Sequence, residues 1–255
     1  MTGAVLQSET AGAFFDVDGT LLPAPPLEWR FIGYLLERDE ISSGHVGRWL
    51  AQLAGNFWHD LHGATEGNKR YLRGISEELV SGWEKSLAAE YSAGRSLAFF
   101  DEALQRIEWH RAQGHRLFIV SGTLAPLARV VARSLAARVA MDVGVCATEL
   151  EVAAGAVRIW NGRIAGEHMC GSAKLRAVRG LAARYRIDLS RSYAYGDSAG
   201  DLQMLEAVGN AIAVNSTRRL ARIARKRSWQ SFVWKKSCGE ISNAASRQLA
   251  SRAAR

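Results

Sequence analysis

The chain has 255 residues, 48% of them hydrophobic and 23% charged, with a net charge of +8 at pH 7, so it can bury a substantial core as one domain plus an insertion. No stretch approaches the roughly 18 apolar residues of a membrane span, and the polar start Met1–Gly12 lacks the basic flank and apolar centre of a signal peptide, so a cytoplasmic protein is expected. Cys146, Cys170 and Cys238 are odd in number and widely spaced, so neither a disulfide framework nor a zinc knuckle is indicated.

Taken in order, Phe14-Phe15-Asp16-Val17-Asp18-Gly19-Thr20 is a short apolar run ending in two carboxylates and a turn, the pattern of a buried strand opening into a tight loop. Three prolines between Leu21 and Pro26 stop that strand and read as a hinge. From Leu27 to about Tyr91 the apolar residues recur at helical spacing, interrupted by Gly and Ser, and strand alternation is lacking. Three or four short helices are expected there, inserted into an α/β core. Strand and helix then alternate. A helix carries Phe100, Leu104 and Ile107, Arg116–Val120 is a strand leading into Ser121-Gly122-Thr123, and a helix through Leu127 and Leu135 starts near Pro126. Val139–Val145 is expected to be a strand, and Leu150–Gly166 a hairpin turning near Gly155 or at Asn161-Gly162. A helix with Leu175 and Val178, a strand at Tyr193–Tyr195, a helix with Leu202 and Leu205 and the buried run Ala211–Val214 complete a mainly parallel sheet wrapped by helices. Beyond it, Ser216–Arg255 carries 11 Lys or Arg and one Glu, which leaves the body near neutral. That stretch reads as a solvated helix and terminus, the alternative being contact with nucleic acid or anionic membrane.

In open parallel sheets ligands bind beyond the carboxyl ends of the strands. The chemically interesting residues all fall at such ends or at helix starts. Asp16 and Asp18 can serve as nucleophile and proton shuttle. Ser121 and the neighbouring Gly122 offer a hydroxyl and backbone N–H groups to a phosphate oxygen, and Lys174 can neutralise an anion. Asp197 and Asp201, in Gly196-Asp197-Ser198-Ala199-Gly200-Asp201, follow a strand and could instead merely cap the next helix. Collected at one edge, Asp16, Asp18, Asp197 and Asp201 would repel more strongly than Lys174 alone can offset. A divalent cation can relieve this, and an oxygen-only donor set favours Mg²⁺.

These four stations, in this order, resemble the motifs of the haloacid-dehalogenase-like hydrolase superfamily, and the helical insertion resembles the cap of its phosphoserine-phosphatase-like subgroup. The resemblance implies a Rossmann-like core at 1–22 and 95–236, a C1-type helical cap at 23–94, a small β-hairpin in the core, and a basic tail at 237–255. It implies a Mg²⁺-dependent phosphatase for a small phosphorylated metabolite. Asp16 would be the nucleophile that becomes an aspartyl phosphate and Asp18 the general acid/base. Ser121, Gly122 and Lys174 would hold the phosphoryl group, and Asp16, the Asp18 carbonyl, Asp197 and Asp201 would hold the metal. A phosphotransferase or mutase would use the same intermediate. An acid two residues after the nucleophile argues for an alkoxide leaving group over a halide, since only the former needs a proton. One position departs from the subgroup. Phosphoserine phosphatases that resemble this chain carry Glu nine residues after the nucleophile, where this chain has Pro25 and its nearest acid is Glu28. Candidates for contacting the leaving group are Glu28, Trp29, Arg30, Trp49, Trp58, His59, His62, Lys69 and Arg70.

Overall fold

The computed structural model describes residues 10–42, 44, 45, 47, 69–92 and 97–235. Eight strands order the described residues: β1 (Gly12–Phe15), β2 (Arg116–Leu124), β3 (Val143–Thr148), β4 (Leu150–Val152), β5 (Trp160–Ile164), β6 (Tyr193–Gly196), β7 (Asn210–Val214) and β8 (Gln230–Phe232). Six of them form one sheet in the order β3-β2-β1-β6-β7-β8 with every pairing parallel. The fold is α/β and Rossmann-like, as expected. Seven α-helices are present among the described residues: α1 (Leu27–Glu37), α2 (Glu78–Ser92), α3 (Asp101–Ala112), α4 (Ala125–Val139), α5 (Ser172–Tyr185), α6 (Leu202–Glu206) and α7 (Arg218–Lys226).

β1 lies inside the sheet and is apolar on both faces, as a parallel strand covered on both sides must be. Ala13 and Phe15 point into one core with α1, α2, α3 and α4, whereas Phe14 points into the other with Val178 of α5, Leu205 of α6 and Leu220 of α7. The order matters for function. From β1 the chain builds outward through β2 and β3, then returns to β6 on the other side of β1, so the connections diverge between β1 and β6. Such a switch point leaves a crevice at the carboxyl ends of the two strands. Asp16 directly follows β1 and Asp197 directly follows β6.

Several boundaries differ from those read from sequence. Val139 closes α4 and β3 starts only at Val143, because the apolar spacing Val131, Leu135, Val139 carries the helix one turn further before Ala140 ends it in a left-handed conformation. β2 runs through Ser121 to Leu124, with its register to β3 shifting between Ser121 and Leu124. The hairpin is present, and its turn lies between Val152 and Trp160, where the Gly155 alternative placed it, so Asn161-Gly162 sits within β5. Gly162 is there for another reason. It has φ +82°, and a Cβ on it would stand 3.0 Å from the Arg70 Cα. Residues 69–77 run along β5 through hydrogen bonds from Lys69 N to Gly162 O, Gly74 N to Trp160 O, Trp160 N to Ile75 O and Glu77 N to Arg158 O. The edge strand β8 was not anticipated. It pairs with β7 beside the basic helix α7, which seats Leu220 and Ala224 on the sheet and turns its arginines outward. Trp49, Trp58, His59, His62, Cys238 and the basic tail 237–255 lie outside the described residues. No helix among the described residues is long and apolar enough to cross a membrane.

Candidate active site

The Lys174 ammonium is the hub of the crevice. α5 begins at Ser172, so its third residue points back under the carboxyl ends of β1 and β6. Nζ donates to Asp16 Oδ1 at 2.6 Å and to Asp201 Oδ1 at 2.5 Å, and the three residues are 3%, 6% and 2% exposed. Asp201 is fully engaged, because its other oxygen accepts the N–H groups of Asp197 (3.1 Å) and Ser198 (3.0 Å) and the Ser198 hydroxyl (3.1 Å). It is thus a capping residue, as the alternative sequence reading allowed, and through the same contacts it fixes the loop that carries Asp197. Asp16, Asp197 and Asp201 each place an oxygen within 4.8 Å of the others. Glycine permits the crowding. Gly19 has φ +80°, and a Cβ on it would lie 2.5 Å from Asp197 Oδ2.

Electrostatics follow from this burial. Desolvation pushes the Asp16 carboxyl up to about 7 in spite of the Lys174 ammonium, and Asp201 adds to the rise. Desolvation, then the charges of Asp16 and Asp201, push Asp197 up to about 8. Burial alone would favour a neutral Lys174, but Asp16 and Asp201 outweigh it and hold the ammonium charged well above the usual lysine range. Three carboxyl groups face one ammonium. The donor set is all oxygen, with no Cys or His in the cluster, so a small hard divalent cation fits both the charge and the chemistry.

Asp18 stands slightly apart. Its carboxylate is not in the three-residue cluster, and Oδ1 accepts the Leu27 N–H at 2.7 Å, which ties it to the first turn of α1. Burial raises its pKa, the Leu27 N–H opposes this, and the Glu28 charge reinforces it. Burial therefore makes Asp18 easier to protonate than an exposed carboxyl. Ser121 is buried at the far wall, where Oγ accepts the Thr123 N–H at 3.3 Å, leaving its own proton for a ligand. Asp16, Asp18, Ser121, Gly122, Lys174, Asp197 and Asp201 all line one cleft of about 380 Å³. All seven residues selected from sequence are thus brought together.

The candidates for leaving-group contact divide. Glu28, Trp29 and Lys69 line the cleft. Lys69 Nζ pairs with both Glu28 oxygens at 2.8 and 3.0 Å, joining α1 to the segment that runs along β5. Arg30 instead donates to the carbonyls of Pro23 and Pro25, and Arg70 is exposed and does not line the cleft. Sequence reasoning passed over two contributors. Asn215 donates to the Gly19 carbonyl at 3.2 Å and accepts the Trp234 N–H at 2.8 Å, so it braces the loop after β1. Its signal was available, since Asn215 follows the buried run Ala211–Val214 at the same sheet edge. His168 also lines the cleft, its ring 3.2 Å from where a Cβ on Gly122 would stand, and nothing local in the sequence marks it.

Comparison with known proteins agrees with this geometry. Phosphoserine phosphatase SerB1 of Mycobacterium tuberculosis is 31% identical over 241 residues, an alignment that spans 87% of this chain and 70% of that protein. A solved protein of unknown function from Bordetella pertussis Tohama I shares the fold with a TM-score of 0.70 at 23% identity, over 88% of this chain and 99% of that one. A phosphoserine phosphatase solved as a phospho-aspartyl intermediate analogue does so with a TM-score of 0.56 at 20% identity, over 92% and 98%. The model of the haloacid dehalogenase-like hydrolase family matches residues 13–206, and with the crevice between β1 and β6 holding that family's ordered motifs, the chain belongs to the haloacid dehalogenase-like hydrolases.

Proposed function

We propose that this hydrolase is a phosphatase that cleaves the phosphomonoester of a small phosphorylated metabolite by way of an aspartyl phosphate on Asp16. The observation that carries the reading is the bridging of Asp16 and Asp201 by the buried Lys174 ammonium, with Asp197 beside them and Ser121 across the same cleft. Phosphoryl transfer asks a protein mainly for positioning and charge stabilisation, and these residues supply both. The relative from M. tuberculosis is named a phosphoserine phosphatase, which supports the same reaction class. Residues 23–94 act as the cap over the cleft, and the remainder up to about residue 236 as the catalytic core.

Ser121 and Lys174 bind the phosphoryl oxygens. The Asp16 carboxylate attacks phosphorus as the bond to the leaving oxygen breaks, and Asp18 delivers its proton to that oxygen. Asp18, now ionised, takes a proton from water, which attacks the aspartyl phosphate and releases inorganic phosphate with Asp16 restored. Asp16, Asp197 and the Asp18 carbonyl would hold Mg²⁺, with Asp201 in support. The cation would supply the positive charge that the acidic cluster lacks. Asp18 is tied to Leu27 and Glu28 to Lys69, so the position of α1 and that of the acid are linked. The Glu28–Lys69 pair is the cap-side wall nearest the leaving group.

The test is release of phosphate from p-nitrophenyl phosphate, expected with Mg²⁺ and absent after chelation or in Asp16→Asn. Activity that survives either treatment overturns the proposal. A panel of phosphorylated amino acids, amino alcohols and sugars then identifies the leaving group.

A further inference from the structure

We infer that Thr148 is a positioning residue that aims the Ser121 hydroxyl at the phosphoryl group and locks the two walls of the phosphate pocket together. The inference rests on the phosphatase reading above and adds to it a residue outside the four motifs. Thr148 is the last residue of β3 and has no exposed surface. Its hydroxyl donates to the Gly122 carbonyl at 2.8 Å and accepts the Met169 N–H at 3.2 Å. One oxygen therefore spans the end of β2, which carries Ser121, and the loop that leads through Cys170 and Gly171 into α5 and Lys174.

The first contact acts through a single peptide plane. In a trans peptide the carbonyl of one residue and the N–H of the next point in opposite directions. Anchoring the Gly122 carbonyl therefore also aims the Thr123 N–H, and that N–H is the group which reaches Ser121 Oγ at 3.3 Å. With Oγ accepting there, the Ser121 proton is directed elsewhere, into the cleft. This stretch of β2 is where the register to β3 shifts, between Ser121 and Leu124, and neither Gly122 nor Thr123 has a paired residue in β3, so the Thr148 side chain adds a contact where the regular ladder is broken. The second contact sets the Met169 backbone, next to the His168 ring that packs on Gly122. Loss of the hydroxyl would free the Gly122–Thr123 peptide to rotate and leave a half-buried carbonyl and a half-buried N–H without this partner. Displacement of a positioned group by about 1 Å can cost roughly 100-fold in rate.

The experiment compares wild type, Thr148→Val, which keeps the shape and removes the hydroxyl, and Thr148→Ser, which keeps the hydroxyl. Binding of inorganic phosphate in the presence of Mg²⁺ is measured by calorimetry, kcat and KM with p-nitrophenyl phosphate, and folding by urea denaturation. Thr148→Val is expected to stay folded while phosphate affinity and kcat/KM fall by roughly 10- to 100-fold, and Thr148→Ser to recover most of both. If Thr148→Val does not fold, Thr148→Ser against Thr148→Ala provides the same contrast. Wild-type affinity and kcat/KM in the valine variant, or a serine variant no better than valine, overturns the assignment. Calorimetry keeps the two readings apart. A wild-type protein that binds phosphate without turning over p-nitrophenyl phosphate removes the catalytic reading, and the affinity contrast still decides on Thr148. A wild type that binds no phosphate overturns both.

Discussion

Replacing Lys174 by methionine removes one positive charge and little volume from the centre of the acidic cluster. Lys174 is 3% exposed and its ammonium makes two short ion pairs, with Asp16 and Asp201. Removing one partner from a buried ion pair costs about 3–5 kcal/mol, because the remaining charge is left uncompensated. Here two carboxylates lose that partner, and Asp197 lies beside them. Taking the lower figure with a urea m-value of about 3 kcal/mol/M, the metal-free midpoint should drop by on the order of 1 M at pH 8. Tryptophan fluorescence reads the transition, since the chain has eight tryptophans. The cost is one of charge, so it should shrink as Asp16 and Asp197, raised to about 7 and about 8, take up protons, and the gap between variant and wild type should be markedly smaller at pH 5.5. A gap that is the same at both values would assign the loss to packing. No gap at either would refute the placement of the ammonium as the counter-charge of the cluster.

Two further outcomes are expected. In Asp18→Asn an activated aryl leaving group can depart with little help, but water still needs a base. Rapid mixing with p-nitrophenyl phosphate should therefore show a burst of p-nitrophenol approaching one per site, followed by slow turnover, and a linear trace would contradict the assigned roles. Acid stability should depend on His110, which is fully buried between Tyr195 Oη and His115 Nδ1 at 2.8 Å each. Burial first, then the charges of His115 and Arg106, lower its pKa to about 3. The unfolded chain therefore binds the proton more readily. The neutral ring's stabilisation is complete above about pH 6.5 and is lost progressively as pH falls towards 3, by as much as a few kcal/mol. His110→Phe should lower the stability near pH 7 by about 1–3 kcal/mol by leaving Tyr195 Oη without this partner, and should flatten that acid slope. Urea midpoints across the pH range would show an unchanged slope if the histidine were not held neutral.

Much of this molecule follows from local pattern. The run Phe14-Phe15 before Asp16 reads as a buried strand opening into a turn, and helix and strand alternate afterwards with their apolar periods intact, which points to a parallel sheet whose carboxyl edge collects the acids. The errors have local causes as well. Val139 continues a helical stripe as readily as it starts a strand, and Asn161-Gly162 has the composition of a turn although Gly162 serves the close approach of the Arg70 backbone.

By itself, then, the order of residues determined which elements form and which reactive groups stand at their ends, because periodicity and turn chemistry act over a few neighbours. Only the tertiary structure decided who meets whom. The divergence of connections between β1 and β6 places Asp16 beside Asp197, Leu27 holds the acid Asp18, Lys69 reaches Glu28, and the hydroxyl of Thr148 joins Gly122 in β2 to Met169, 26 and 21 residues from it along the chain. Apart from Leu27 and Asp18, which are nine residues apart, each of these joins segments distant in sequence, and all are set by the packing of whole layers and not by any spacing along the chain.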